Sequence, residues 1–185
     1  MWPTLLAGLA TLAALIAAVG VVIQGCLLRK QIQLQGLLEL DKEWNSEAMV
    51  ENRARAWTEA KEPDLGELEG VLEFLEKVGS LEEAGVLDAK LIWDLAVGWY
   101  LIRYSYYCRD AIKELRRRWT APREDPTLYQ DLEELSAKLL RFEVKRRSKR
   151  GPRVTEEMVC QELDARKKEF IESERSLSGN GQAHP

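Results

Sequence analysis

The sequence predicts an all-α protein in which a single N-terminal transmembrane helix is followed by a cytoplasmic helical bundle of about five helices. Two observations predict it. All 27 Lys and Arg and all 31 Asp and Glu lie after Leu28, so an uncharged apolar segment precedes an ordinary charged chain. After that point the apolar residues recur at spacings of three and four, the period of a helix face, and no succession of alternating runs and hairpin turns builds a sheet. With 45% hydrophobic residues the chain has too much apolar surface to stay disordered, and with one apolar span it is not a polytopic transporter.

The first element runs from Trp2 to Leu28, a length that as a helix reaches roughly 40 Å and exceeds the ~30 Å hydrocarbon core. Trp2 at one end and Arg29 with Lys30 at the other are suited to the two membrane boundaries. A cleaved signal peptide needs a positive leading region, and only Met1, Trp2 and Pro3 precede the apolar run. Charge asymmetry then predicts an N-terminus outside and a C-terminal domain in the cytoplasm, at a cell inner membrane. Ala10, Ala14 and Ala18 share one face of the span and are a candidate homodimer surface, although an Ala-rich span also produces that spacing by chance.

Residues 29–45 are expected to be a helical stalk, 46–175 one bundle domain and 176–185 a disordered tail. Trp44-Asn45-Ser46 breaks the stalk, and Asn45 or Ser46 caps a helix whose Met49, Arg53, Ala56, Trp57 and Ala60 share a face until Glu62-Pro63-Asp64. Leu65, Leu68, Val71, Leu72, Leu75 and Val78 form the next face, with Gly79 as a left-handed cap. A short turn from Leu81 to Ala84 ends likewise at Gly85. Asp88 caps a long central helix running to about Trp119, apolar on more than one face. Pro122, Asp125 and Pro126 mark a loop and a new start. Leu128, Leu132, Leu135, Leu139 and Phe142 then form a seam spaced four-three-four-three. Gly151-Pro152 interrupts, and Thr155 opens a last helix that buries Val159, Leu163, Phe170 and Ile171.

Trp44-Asn45-Ser46 with Met49 and Arg53, then Phe74-x-Glu76-x-x-Gly79-x-Leu81-x-x-x-Gly85-x-Leu87, then Trp93 and the Tyr-rich helix, form a pattern across roughly residues 30–118. It resembles a family of small bacterial proteins known as domain of unknown function 4760, in which a helical domain often follows one membrane helix. The chain departs from the family pattern at Leu75, where Phe is usual. The resemblance implies fold and placement, and carries over no catalytic residue or ligand.

The chemistry-bearing residues are weighed against plainer roles. Glu67, Glu69, Glu73, Glu76, Glu82, Glu83 and Asp88 are close in sequence, but a helical run of carboxylates is more often a solvated face than a metal site. A di-metal bundle would want Glu-x-x-His pairs, and the single histidine, His184, is next to last. Glu76 is placed to bond loop amides beyond its own helix. Cys26, Cys108 and Cys160 form neither a disulfide framework nor a zinc pattern, and Cys108 reads as a buried structural thiol. No phosphate-loop, dinucleotide, nucleophile-elbow or zincin motif occurs, so no enzymatic activity and no cofactor is predicted.

Charge is unevenly distributed. Residues 37–94 hold 16 acidic against 6 basic side chains, whereas 95–153 hold 8 acidic against 15 basic. The basic part includes Arg116-Arg117-Arg118 and the run Lys145, Arg146, Arg147, Lys149 and Arg150. That run is a candidate contact for anionic lipid headgroups, or pairs with the acidic half inside the domain. Nucleic acid is disfavoured because no base-stacking aromatics follow Phe142. Trp93, Tyr100 and Tyr104 are expected in the core, while Tyr106 and Tyr107 point too far apart to share one neighbour. The expected function is a binding or scaffolding module for an unidentified protein partner at the inner face of the membrane. The alternative is an effector or sensor that oligomerises through its span.

Overall fold

A computed structural model describes residues 2–57, 63–94, 97–119 and 127–180, and the side chains of these except 2–14, 119, 150 and 178–180. Among the described residues there are eight helices and no strand. They are α1 (Trp2–Trp44), α2 (Glu47–Ala56), α3 (Leu65–Glu83), α4 (Ala89–Asp94), α5 (Val97–Tyr107), α6 (Arg109–Trp119), α7 (Gln130–Arg150) and α8 (Glu156–Asn180). The chain divides into two compact units, Met1–Leu38 and Glu39–Pro185.

The first unit is helical, and α1 is long and apolar enough to cross a membrane. Leu15, Ile16, Val19, Val22, Leu27 and Ile32 are all more than half exposed along it. A stretch this apolar is normally the first to be buried in a water-soluble fold. Arg29 and Lys30 are exposed on the same helix, as is Ala18. The side chains of Trp2, Ala10 and Ala14 lie outside the described residues.

The second unit begins at Glu39, so Leu40 and Trp44, read above as stalk, are core residues at 5% and 2% exposure. Ser46 caps α2, its hydroxyl accepting from the Met49 amide at 3.3 Å. The helix stops at Ala56, earlier than the sequence suggested, and Ala60 lies outside the described residues. Asp64, read above as a stop, caps α3 through bonds from the Gly66 and Glu67 amides. The chief packing contacts join α3 to α7 and α2, α2 to α8, and α5 to α7. Leu68, Leu72, Leu75, Leu101, Leu132 and Leu139 are buried at this centre, all six with no exposed surface.

The bundle has more pieces than the five expected. Gly79 does not end α3, which runs on to Glu83 and absorbs the predicted short turn. The αL residue is Gly85 instead, at φ +68°. The central helix expected from Asp88 to Trp119 is three helices. Asp88 does cap α4, accepting from the Lys90 amide at 2.8 Å. A Cβ at Gly98 would lie 2.8 Å from Trp93 Cα, so the start of α5 closely approaches the end of α4. At Cys108 the break is slight, because its amide bonds Tyr104 and its carbonyl accepts from Ile112.

Pro122, Asp125 and Pro126 lie outside the described residues, and α7 starts later, at Gln130. Tyr129 precedes it at φ 61° with no side-chain cap. The seam also shifts: Leu132, Leu135 and Leu139 are buried, but Glu143 follows them inward at 0% exposure while Phe142 is 39% exposed. Thr155 caps the last helix, accepting from the Met158 amide at 3.3 Å, and Val159, Leu163, Phe170 and Ile171 are all buried. The expected tail is helical from Ser176 to Asn180, and the remainder, His184 included, lies outside the described residues.

Candidate functional site

Two adjoining arrangements in the second unit concentrate its polar chemistry. The first is a buried aromatic and ionic cluster where the end of α1 meets α2, α3, α5 and α8. Trp44 lies 5.2 Å from Phe74, 5.0 Å from Tyr100 and, edge-on, 6.1 Å from Tyr104, measured between ring centroids. Arg53, 3% exposed, places its guanidinium carbon 4.3 Å from the Trp44 ring and 5.5 Å from that of Tyr100. Such stacking stabilises a cation that has left water. Its Nε stands 3.8 Å from the Glu174 carboxylate, to which the Tyr104 hydroxyl donates at 2.7 Å.

Glu174 is 1% exposed. Burial raises its pKa, against the opposing influence of the Tyr104 hydrogen bond, Arg53 and Arg103. The Tyr104 hydroxyl is in turn held well above its usual range by burial and by the Glu174 carboxylate. The pair is therefore built to keep the phenol as a proton donor to Glu174. The sequence carries a signal for Glu174, which continues the buried stripe of α8 four residues after Phe170.

The second arrangement is a cleft of about 480 Å³ between α5, α7 and α8, lined by Trp99, Arg103, Glu143, Arg146, Arg147, Val159, Glu162, Leu163 and Arg166. Glu143 organises one wall. It accepts from Arg146 at 2.8 and 3.0 Å and from Arg147 at 2.5 Å. Burial opposes its ionisation, but the two arginines together prevail and hold its pKa below the usual glutamate range. Arg147 also reaches Glu162 at 2.5 Å, and Arg166 lies 3.4 Å from that carboxylate. Trp99 forms an aromatic wall with the guanidinium carbons of Arg103 and Arg147 at 5.6 and 5.8 Å from its ring. Arg103 makes no hydrogen bond or ion pair among the described residues, and its Nε is buried without an acceptor.

The residues singled out from sequence divide accordingly. Arg146 and Arg147 are turned toward Glu143 and the cleft, whereas Lys145 and Lys149 are exposed on α7. The side chain of Arg150 lies outside the described residues. Trp93 is half-buried, 5.4 Å from Trp99 and 5.7 Å from the Arg146 guanidinium. Asn45 donates to the Asp41 carbonyl at the end of α1. Tyr107 is buried and donates to the Leu163 carbonyl at 2.7 Å, while Tyr106 is part-exposed. Cys108 is fully buried, and burial pushes its thiol pKa up, which makes it a poor nucleophile.

Glu76 bonds amides, but not those of the loop after its own helix. Its two oxygens accept from the Leu132 amide at 2.7 Å and the Asp131 amide at 3.3 Å, so it caps α7 from across the bundle. Burial raises its pKa and these two amides oppose the rise. Gly79, one turn on, is where α3 meets the Asp131 backbone: a Cβ there would lie 2.6 Å from the Asp131 carbonyl. Among the described residues no group of His, Cys, Asp and Glu is arranged to hold a metal ion.

Trp44, Phe74, Glu76, Gly79, Gly85 and Trp93 thus each take a defined place in the second unit. No curated protein and no solved structure matches the chain. Residues 12–139 match the family described as Domain of unknown function (DUF4760), and this span is more than half of the chain. It takes in α2 to α6 and the Glu76 and Gly79 contacts with α7, and the chain belongs to that family.

Proposed function

We propose that this protein is a single-pass membrane protein whose helical unit serves as a binding or scaffolding module at the cytoplasmic face of the inner membrane. One observation carries the reading: the candidate span in α1 is 0% buried while the second unit has a complete core of its own. Large apolar side chains exposed along a helix among the described residues are suited to lipid. Arg29 and Lys30 directly after the apolar run favour retention of that end in the cytoplasm. Tethering then raises the effective concentration of whatever the unit binds at the membrane surface. Exposed Lys145 and Lys149 add attraction to an anionic leaflet, by ~1 kcal/mol for each that reaches it.

The test is alkaline carbonate extraction of membranes containing the full chain, followed by protease treatment of intact spheroplasts and of inverted vesicles. The expected result is a full-length protein that stays with the membrane and whose C-terminal epitope is cleaved only in inverted vesicles. Release by carbonate, or a mature chain shortened at its N-terminus, overturns the anchor; cleavage in spheroplasts overturns the orientation.

A further inference from the structure

We propose that the cleft between α5, α7 and α8 binds a phosphomonoester anion, with Arg103 and Arg166 holding the phosphate and Trp99 contacting the group attached to it. The lining residues supply four guanidinium groups against two carboxylates, which leaves two positive charges. Those charges are not equally engaged. Glu143 is locked between Arg146 and Arg147, and Glu162 bonds Arg147 at 2.5 Å. Arg166 has a looser pair to Glu162 at 3.4 Å, and its side chain is 57% exposed.

Arg103 is the telling residue. Its Nε is buried with no acceptor, and its interactions among the described residues are with the rings of Trp99 and Phe170 and, through the electrostatic field, with Glu174 and Tyr107. Glu174 accepts from Tyr104 and lies beside Arg53, and Arg103 Nε makes no hydrogen bond to it. A guanidinium held without an acceptor costs free energy that a bound oxyanion restores. Planar guanidinium forks match phosphate oxygens, and several of them match its multiple charge better than a single carboxylate would. The volume, about 480 Å³, lies within the range of small-molecule sites and exceeds what a bare phosphate fills. The aromatic face of Trp99 offers the remaining space an apolar wall. Such a group comes either from a soluble phosphomonoester or from a phosphatidate headgroup.

The experiment is isothermal titration of the full chain in neutral detergent with glycerol 3-phosphate at constant ionic strength, and in parallel with nanodiscs containing phosphatidate or phosphatidylcholine alone. Because the soluble arm needs no bilayer, it reads the cleft whether or not α1 spans a membrane. Saturable binding of glycerol 3-phosphate supports the site with a free ligand. Saturation by phosphatidate nanodiscs alone supports it with a lipid headgroup. Arg103→Gln and Arg166→Gln are each expected to weaken binding by about tenfold or more, the scale of one charge-assisted hydrogen bond. Lys168→Gln, an exposed cation of α8 outside the cleft, is expected to leave the soluble ligand's affinity within about twofold. If Arg103→Gln does not fold, the exposed Arg166 still decides. No saturable binding by any probe, or equal weakening by Lys168→Gln, overturns the proposal.

Discussion

Gly79→Ala is expected to destabilise the second unit, although the same change in an unconstrained helix interior stabilises by about 1 kcal/mol. The added Cβ would lie 2.6 Å from the carbonyl carbon and oxygen of Asp131, which are backbone atoms and cannot rotate aside. Ordinary contact begins at 3.4 Å, so the first turn of α7 must retreat by the difference, 0.8 Å. Glu76, one turn earlier on α3, bonds that same turn through Leu132 at 2.7 Å and Asp131 at 3.3 Å. A retreat of 0.8 Å stretches both to the edge of hydrogen-bonding distance or past it. Overpacking costs about 1–3 kcal/mol and a weakened charge-assisted bond about 1.5–3 kcal/mol. After subtraction of the propensity gain, the net loss is about 1.5–5 kcal/mol. Urea unfolding of the full chain in a mild detergent, followed by tryptophan fluorescence, measures it. Gly70→Ala is the control, since its Cβ would meet only the movable amide of Asn52 at 3.3 Å. A Gly79→Ala protein as stable as wild type would refute the close contact between α3 and α7.

Arg53→Met leaves Glu174 buried beside Tyr104 without its cation and is expected to cost about 3–5 kcal/mol, most of which Arg53→Met with Glu174→Met restores; a double variant no better than the single one refutes the pairing. Glu174 has a folded-state pKa raised by burial, so its contribution is fully present below the ordinary carboxylate range and is lost as pH rises through the raised value. The melting temperature of wild type relative to Glu174→Gln should therefore fall as pH rises above the ordinary carboxylate range, and a constant difference would contradict the burial. Gly85→Ala, at φ +68° with open space around its Cα, is expected to cost about 1 kcal/mol through backbone strain alone, read as a lower urea midpoint with unchanged slope.

The local signals were legible because they act within a few residues. Ser46, Asp88 and Thr155 cap their helices as a short polar side chain before an apolar face suggests, and Gly85 ends a turn that only glycine enters easily. The family pattern was legible too, since Trp44, Phe74, Glu76 and Gly79 stand at fixed spacings. Its meaning was not. Glu76 looks like a cap for its own loop until α7 is seen, because its partners lie 55 and 56 residues away. Gly79 looks like a helix stop for the same reason, as glycine serves both a left-handed turn and a close backbone approach.

The seam of α7 shows where periodicity runs out. Spacing alone admits either Phe142 or Glu143 after Leu139, and hydrophobicity favours Phe142. The fold selects Glu143, because Arg146 and Arg147 on the following turn bond its carboxylate. The same bonds tie two cations of the basic run to a buried carboxylate, Arg147 part-buried and Arg146 still exposed.

By itself, then, the sequence determined that the chain is helical, where most of its helices begin, and that an uncharged apolar helix precedes a charged domain, since propensity, caps and hydrophobic period are properties of neighbouring residues. Tertiary structure alone decided which charges are buried. Arg53 shares a face with Met49 and Trp57, and Glu174 continues the stripe of Phe170, but only helices far apart in the chain supply the rings and polar partners that let these two charges leave water.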